Sequence, residues 1–121
     1  MTETEILRCA IQTYGAEAQE LMLFEEMAEL QKEICKNRRG RDNVMEIAEE
    51  IADVRIMLEQ MEMIFGCAGR VRMIRAGKLR RLRDLVEQEL MERAAWMAAD
   101  PETPIPAARD FPLRGKQGGA G

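Results

Sequence analysis

The sequence contains no histidine and no serine in its 121 residues. A Ser–His or Cys–His nucleophile pair is therefore excluded, and so is any metal site that needs imidazole. Aromatic residues make up only 4% of the chain, so stacking platforms for nucleobases are scarce. No run of about 18 apolar residues occurs, and the opening "MTETEILRCA" is acidic where a signal peptide would be basic. A soluble, cytoplasmic protein without membrane attachment is expected. Cys9, Cys35 and Cys67 are odd in number, widely spaced and flanked by apolar residues, with no C-x-x-C. They are expected to be small core side chains in a reducing compartment. Any catalysis must come from carboxylates, Lys, Arg, Tyr, Thr or a bound cation.

What is present favours helix. Hydrophobic residues make up 46%, ten of them Met, while Pro and Gly are nearly absent between Ala16 and Phe65. The length suits one domain. Periodicity and punctuation predict helices over about 4–13, 16–37, 44–65 and 70–95. Gly15 loosens the first junction, and "NRRGRDN" (Asn37–Asn43) forms a turn with Gly40 at positive φ and Asp42 or Asn43 as the next cap. "GCAG" (Gly66–Gly69) ends the third helix. Short connections between long helices imply an all-α, antiparallel bundle of about four helices spanning 1–97. All four prolines follow Asp100, so 98–121 is expected to be a disordered or loosely attached tail.

Charge is unevenly spread. Residues 1–69 carry 15 acids and 7 bases, whereas residues 70–121 carry 7 acids and 11 bases. Within the acidic part, "LFEEMAEL" (Leu23–Leu30) and "IAEEIADV" (Ile47–Val54) repeat one phrase 24 residues apart. On a helical wheel with Glu25 at zero, Glu29 falls at ~40°, Glu33 at ~80° and Glu26 at ~100°. Leu21 and Ala28 flank that stripe on one side, and Leu23, Leu30 and Ile34 on the other. The second phrase places Glu46, Glu49, Glu50 and Asp53 beside the apolar set Ile47, Ile51, Val54, Leu58, Met61 and Phe65. A solvated acidic face would lie opposite the apolar stripe instead. If the turn folds these helices antiparallel, four or more carboxylates converge in a partly buried space.

Such a cluster raises its members' pKa values and resists full ionisation unless protons or cations enter it. All-oxygen ligation at helical i, i+3 and i, i+4 spacings suits Mg²⁺, with Mn²⁺ as a substitute. An open Mg²⁺ site commonly shares its coordination with substrate phosphates. Candidate phosphate holders are Lys32, Lys36, Arg38, Arg39 and Arg41, with Lys78 and Arg81 further along the chain.

"EEMAE" (Glu25–Glu29), followed after twenty residues by "EIAD" (Glu50–Asp53), resembles the E-E-x-x-E…E-x-x-D signature of the MazG-like nucleoside triphosphate pyrophosphohydrolases. The likeness covers roughly Ala10–Leu85. It implies an all-α bundle that oligomerises, as a homodimer or homotetramer, to complete its active site. It also implies Mg²⁺-dependent cleavage of an NTP or dNTP to the monophosphate and pyrophosphate. Carried over by position, the metal ligands would be Glu26, Glu29, Glu50 and Asp53. Glu25 and Glu49 would be adjacent carboxylates that complete the shell or act on the attacking water.

Two other readings compete. "RVRMIRAGKLRRLR" (Arg70–Arg83) holds seven bases and no acid, which would suit a non-catalytic nucleic-acid-binding or regulatory oligomer. Against it, Val71, Ile74, Leu79 and Leu82 make the segment amphipathic and suited to packing in a bundle, so nucleic acid is not the expected partner. The other is a purely structural oligomerisation module. Tyr14 and Phe24, the aromatics nearest the acidic phrases, are candidates for contact with a nucleobase, but the core is the expected place for both.

Overall fold

A computed structural model describes residues 1–99 and Glu102. They form four helices and, among the described residues, no strand: α1 (Glu3–Tyr14), α2 (Ala16–Arg38), α3 (Val44–Ile64) and α4 (Ala68–Ala99). The expected tail falls outside the described residues, apart from Ala98, Ala99 and Glu102. No described helix is long and apolar enough to cross a membrane. The chain divides into two units, Met1–Val71 and Arg72–Gly121.

In the first unit, three helix ends have a clear local cause. Thr2 and Glu5 form a reciprocal cap: Thr2 Oγ1 accepts from Glu5 N at 3.1 Å, and Glu5 Oε2 accepts from Thr2 N at 2.8 Å. Gly40, at φ 100°, closes α2: its N–H donates to Asn37 O at 2.9 Å and Arg41 N–H donates to Lys36 O at 3.2 Å. That pair of bonds is a complete Schellman closure. Gly66, at φ 61°, repeats it for α3 through Gly66 N–H to Met63 O and Cys67 N–H to Glu62 O. The break between α3 and α4 is thus shorter than the expected Gly66–Gly69, because Ala68 and Gly69 already belong to α4.

The two long helices of this unit, α2 and α3, make its main contact, and α1 packs against both. Among the less exposed side chains, one series on α2 is Ala16, Gln19, Leu23, Glu26, Leu30 and Glu33, and one on α3 is Ile47, Glu50, Val54, Met57, Met61 and Ile64; Glu20, Lys36 and the buried Gln60 flank them. Both series advance by alternating steps of three and four, the seam of a two-helix coil. The seam is thin. Met57, 6% exposed, is the one buried apolar side chain among the described residues.

Several expected core residues lie outside it. Cys9 and Cys35 are exposed free thiols and Cys67 is only half-buried. Tyr14 (68% exposed) and Phe24 (63%) are also uncovered. So are Ile51, Leu58 and Phe65, because the seam alternates threes and fours while those residues follow a stripe that drifts off it. In the second unit, α4 continues from Arg72 with Leu79, Leu82 and Leu90 exposed.

Candidate metal centre

The seam places glutamates at two α2 positions, seven residues apart, and the fold treats them oppositely. Glu33 is answered by hydrogen-bond donors. Asn43 Nδ2 reaches back from the start of α3 to Glu33 O at 2.9 Å and to Glu33 Oε2 at 2.7 Å, while Lys36 Nζ sits 3.1 Å from Oε1. The Asn43 bond, then the Lys36 bond, hold the Glu33 carboxyl below its ordinary range. Asn43 occupies the cap position expected for it, yet its side chain makes no capping bond. It is 3% exposed and ties the end of α2 to the start of α3. Position-by-position reading missed this role; the signal was an Asn ending the turn, with Glu33 on the same stripe as the other acids.

Two turns earlier on α2, Glu26 is answered only by other acids. The antiparallel register brings it to Glu50 on α3, and Asp53 joins one turn further along. One carboxylate oxygen from each of Glu26, Glu50 and Asp53 lies within 4.8 Å of the other two. Burial lifts the Glu26 carboxyl above its ordinary range. The contact with Glu50 lifts it further, as do the negative charges of Asp53, Glu50 and Glu25. Glu50 Oε2 is shut off from solvent and has no hydrogen-bond partner. When both acids are ionised, neither holds a proton to offer the other, so that oxygen is left without any partner. A buried acceptor in this state is costly.

A hard dication fits this donor set. Three carboxylates from two adjacent helices supply negative charge and oxygen ligands, and when Glu26 is ionised the Glu50 Oε2 acceptor has no donor. Leaving one side of the cluster at the solvent-facing Asp53 keeps room for further ligands.

The other predicted site residues lie around this trio in different settings. Glu29 is half-exposed and paired with Lys32 at 3.8 Å, one turn beyond Glu26, and is not one of the three converging acids. Glu25 and Glu49 are exposed neighbours of Glu26 and Glu50; the charge of Glu25 is felt at Glu26. Lys36 is engaged with Glu33, while Arg38 and Arg39 lie exposed at the end of α2. Lys36, Arg39 and Arg41 together line a cleft of about 300 Å³ at the turn. Lys78 and Arg81 lie on α4 in the second unit.

No family model, curated protein or solved structure matches this chain.

Proposed function

We propose that the chain is a Mg²⁺-dependent nucleoside triphosphate pyrophosphohydrolase of the MazG-like kind, acting on an NTP or dNTP in the cytoplasm. One observation carries the reading: Glu26, Glu50 and Asp53 converge in an antiparallel seam and leave Glu50 Oε2 buried without a donor. At Glu33, by contrast, the same helix pair answers a carboxylate with donors from Asn43 and Lys36.

In this reading Glu26, Glu50 and Asp53 hold the cation, with Glu29 joining once it is released from the exposed Lys32 pair. The cation supplies neutralisation of phosphate oxygens and a water of lowered pKa. Glu25 or Glu49, both solvent-facing and next to a ligand in sequence, takes the proton of the attacking water. That water would attack phosphorus at the P–O–P bridge between the α and β phosphates, and cleavage of the bridge would release the monophosphate and pyrophosphate. Lys32, six residues along α2 from Glu26, is the nearest of the predicted phosphate holders in sequence.

The thin core supports assembly as a homodimer or homotetramer. Leu21, Phe24, Ile51 and Leu58 remain exposed on α2 and α3, and a further pair of helices would bury them.

The test is a panel of NTPs and dNTPs with Mg²⁺, Mn²⁺ or EDTA, scored for pyrophosphate, with Glu50→Gln as control. Turnover that requires the dication and is lost in the variant supports the reading. No turnover of any nucleotide defeats it, and a salt-sensitive nucleic-acid complex in its place would favour the binding role of Arg70–Arg83.

A further inference from the structure

The cleft at the α2–α3 turn is lined by three cationic side chains, Lys36, Arg39 and Arg41. Its volume, about 300 Å³, is at the small end of ligand-binding clefts. Lys36 is already anchored to Glu33 at 3.1 Å, which fixes one wall. Among the described residues, no ion pair engages Arg39 or Arg41, so both guanidinium forks are open to an incoming group. With Glu33 offsetting one charge, the lining retains a surplus of two positive charges.

A helix C-terminus ordinarily presents carbonyl oxygens that repel anions. Here the Schellman closure ties up two of them: Lys36 O accepts from Arg41 N–H at 3.2 Å and Asn37 O from Gly40 N–H at 2.9 Å. The same turn places Arg39 and Arg41 on either side of Gly40. Guanidinium pairs with open forks match the bidentate geometry of phosphate oxygens.

This cleft is remote from the acidic trio along α2. Lys36 lies ten residues beyond Glu26, about 15 Å along the helix axis. That exceeds the Debye length of about 8 Å at physiological salt. Charges at the trio and at the turn of one chain are therefore largely screened from each other.

We propose that Lys36, Arg39 and Arg41 form a separate anion site, selective for a chain of phosphate groups such as inorganic pyrophosphate or the tail of a nucleotide. It needs no dication, and it does not depend on the proposed hydrolytic activity.

The test is calorimetric titration of inorganic pyrophosphate into the full chain in EDTA, at about 0.15 M salt. Wild type should bind, and Arg39→Ala/Arg41→Ala should bind roughly tenfold or more weakly. Both arginines are exposed, and circular dichroism checks that the double variant keeps its helix content. Glu50→Gln should bind pyrophosphate as wild type does, because its charge lies beyond the screening distance. A nucleoside triphosphate as second titrant assigns the source: equal affinity points to free polyphosphate, tighter affinity to a nucleotide tail. Binding that is absent from wild type, that is unchanged in the arginine variant, or that shifts tenfold in Glu50→Gln would overturn the proposal. The last result would mean that the trio's charge is felt at the turn, so that the two sites are not separate.

Discussion

Glu50→Gln should make the metal-free protein more stable and remove its response to Mg²⁺. The substitution keeps the side chain's shape, gives the orphaned acceptor position an amide that can donate, and deletes one charge from the trio. At the 4.8 Å bound on the oxygen separations, each pair of charges repels by about 0.9 kcal/mol in bulk water and about 3.5 kcal/mol at an effective dielectric of 20. Asp53 is exposed and Glu26 and Glu50 only half-buried, so solvent screening favours the lower figure. Two of the three pairs disappear, which gives about 1–2 kcal/mol of relief, or roughly 5–10 °C in melting temperature for a domain of this size. With Mg²⁺ at a hundredfold excess over its Kd, wild type should gain about 2.7 kcal/mol while the variant gains nothing. The order of stability therefore inverts between EDTA and Mg²⁺, as read by thermal circular dichroism. If the variant melts below wild type in EDTA and both respond equally to Mg²⁺, the trio is neither strained nor a cation site.

Met57→Ala removes the one buried apolar side chain of the described seam and should cost about 2–4 kcal/mol in urea unfolding. Met45→Ala, on an exposed face of the same helix, should stay within about 0.5 kcal/mol of wild type. Asn43→Ala deletes the bond to the main-chain oxygen of Glu33, worth about 1 kcal/mol by itself, and should let the Glu33 carboxyl return toward its ordinary titration range by NMR. The two glutamates should also give opposite pH signatures. Glu33 binds its proton less readily when folded, so its contribution is present above the ordinary carboxylate range and is lost as pH falls through its lowered value. Glu26 binds its proton more readily when folded, so without metal its contribution is present at low pH and is lost as pH rises through its raised value. Mg²⁺ competes with that proton, so the Mg²⁺-induced rise in melting temperature should grow with pH over the same window.

The helices and their ends were legible because their causes are local. Gly40 stands where positive φ closes α2, and the acid-rich wheels placed Glu26 and Glu50 beside apolar residues rather than opposite them. The pairing of the helices was less legible. A wheel shows which residues share a face, but not which layer of one helix meets which layer of the next. Asn43 therefore read as a cap, although its donors go to a residue ten positions back. Likewise Glu29 and Glu26 share a stripe, but one turn of helix separates an exposed Lys32 pair from the seam. Cys9, Cys35, Tyr14 and Phe24 failed as core residues for a related reason. Their apolar character says they suit burial, while three helices in one unit leave their faces uncovered.

The most direct check is a Mn²⁺ titration of the full-length chain followed by electron paramagnetic resonance, run beside Glu26→Gln/Glu50→Gln/Asp53→Asn. Wild type should capture Mn²⁺ and quench the free-ion signal, and the triple variant should leave it intact. Equal free-ion signal from both proteins would mean that these three acids meet without holding a cation, and the proposed chemistry would fall with them.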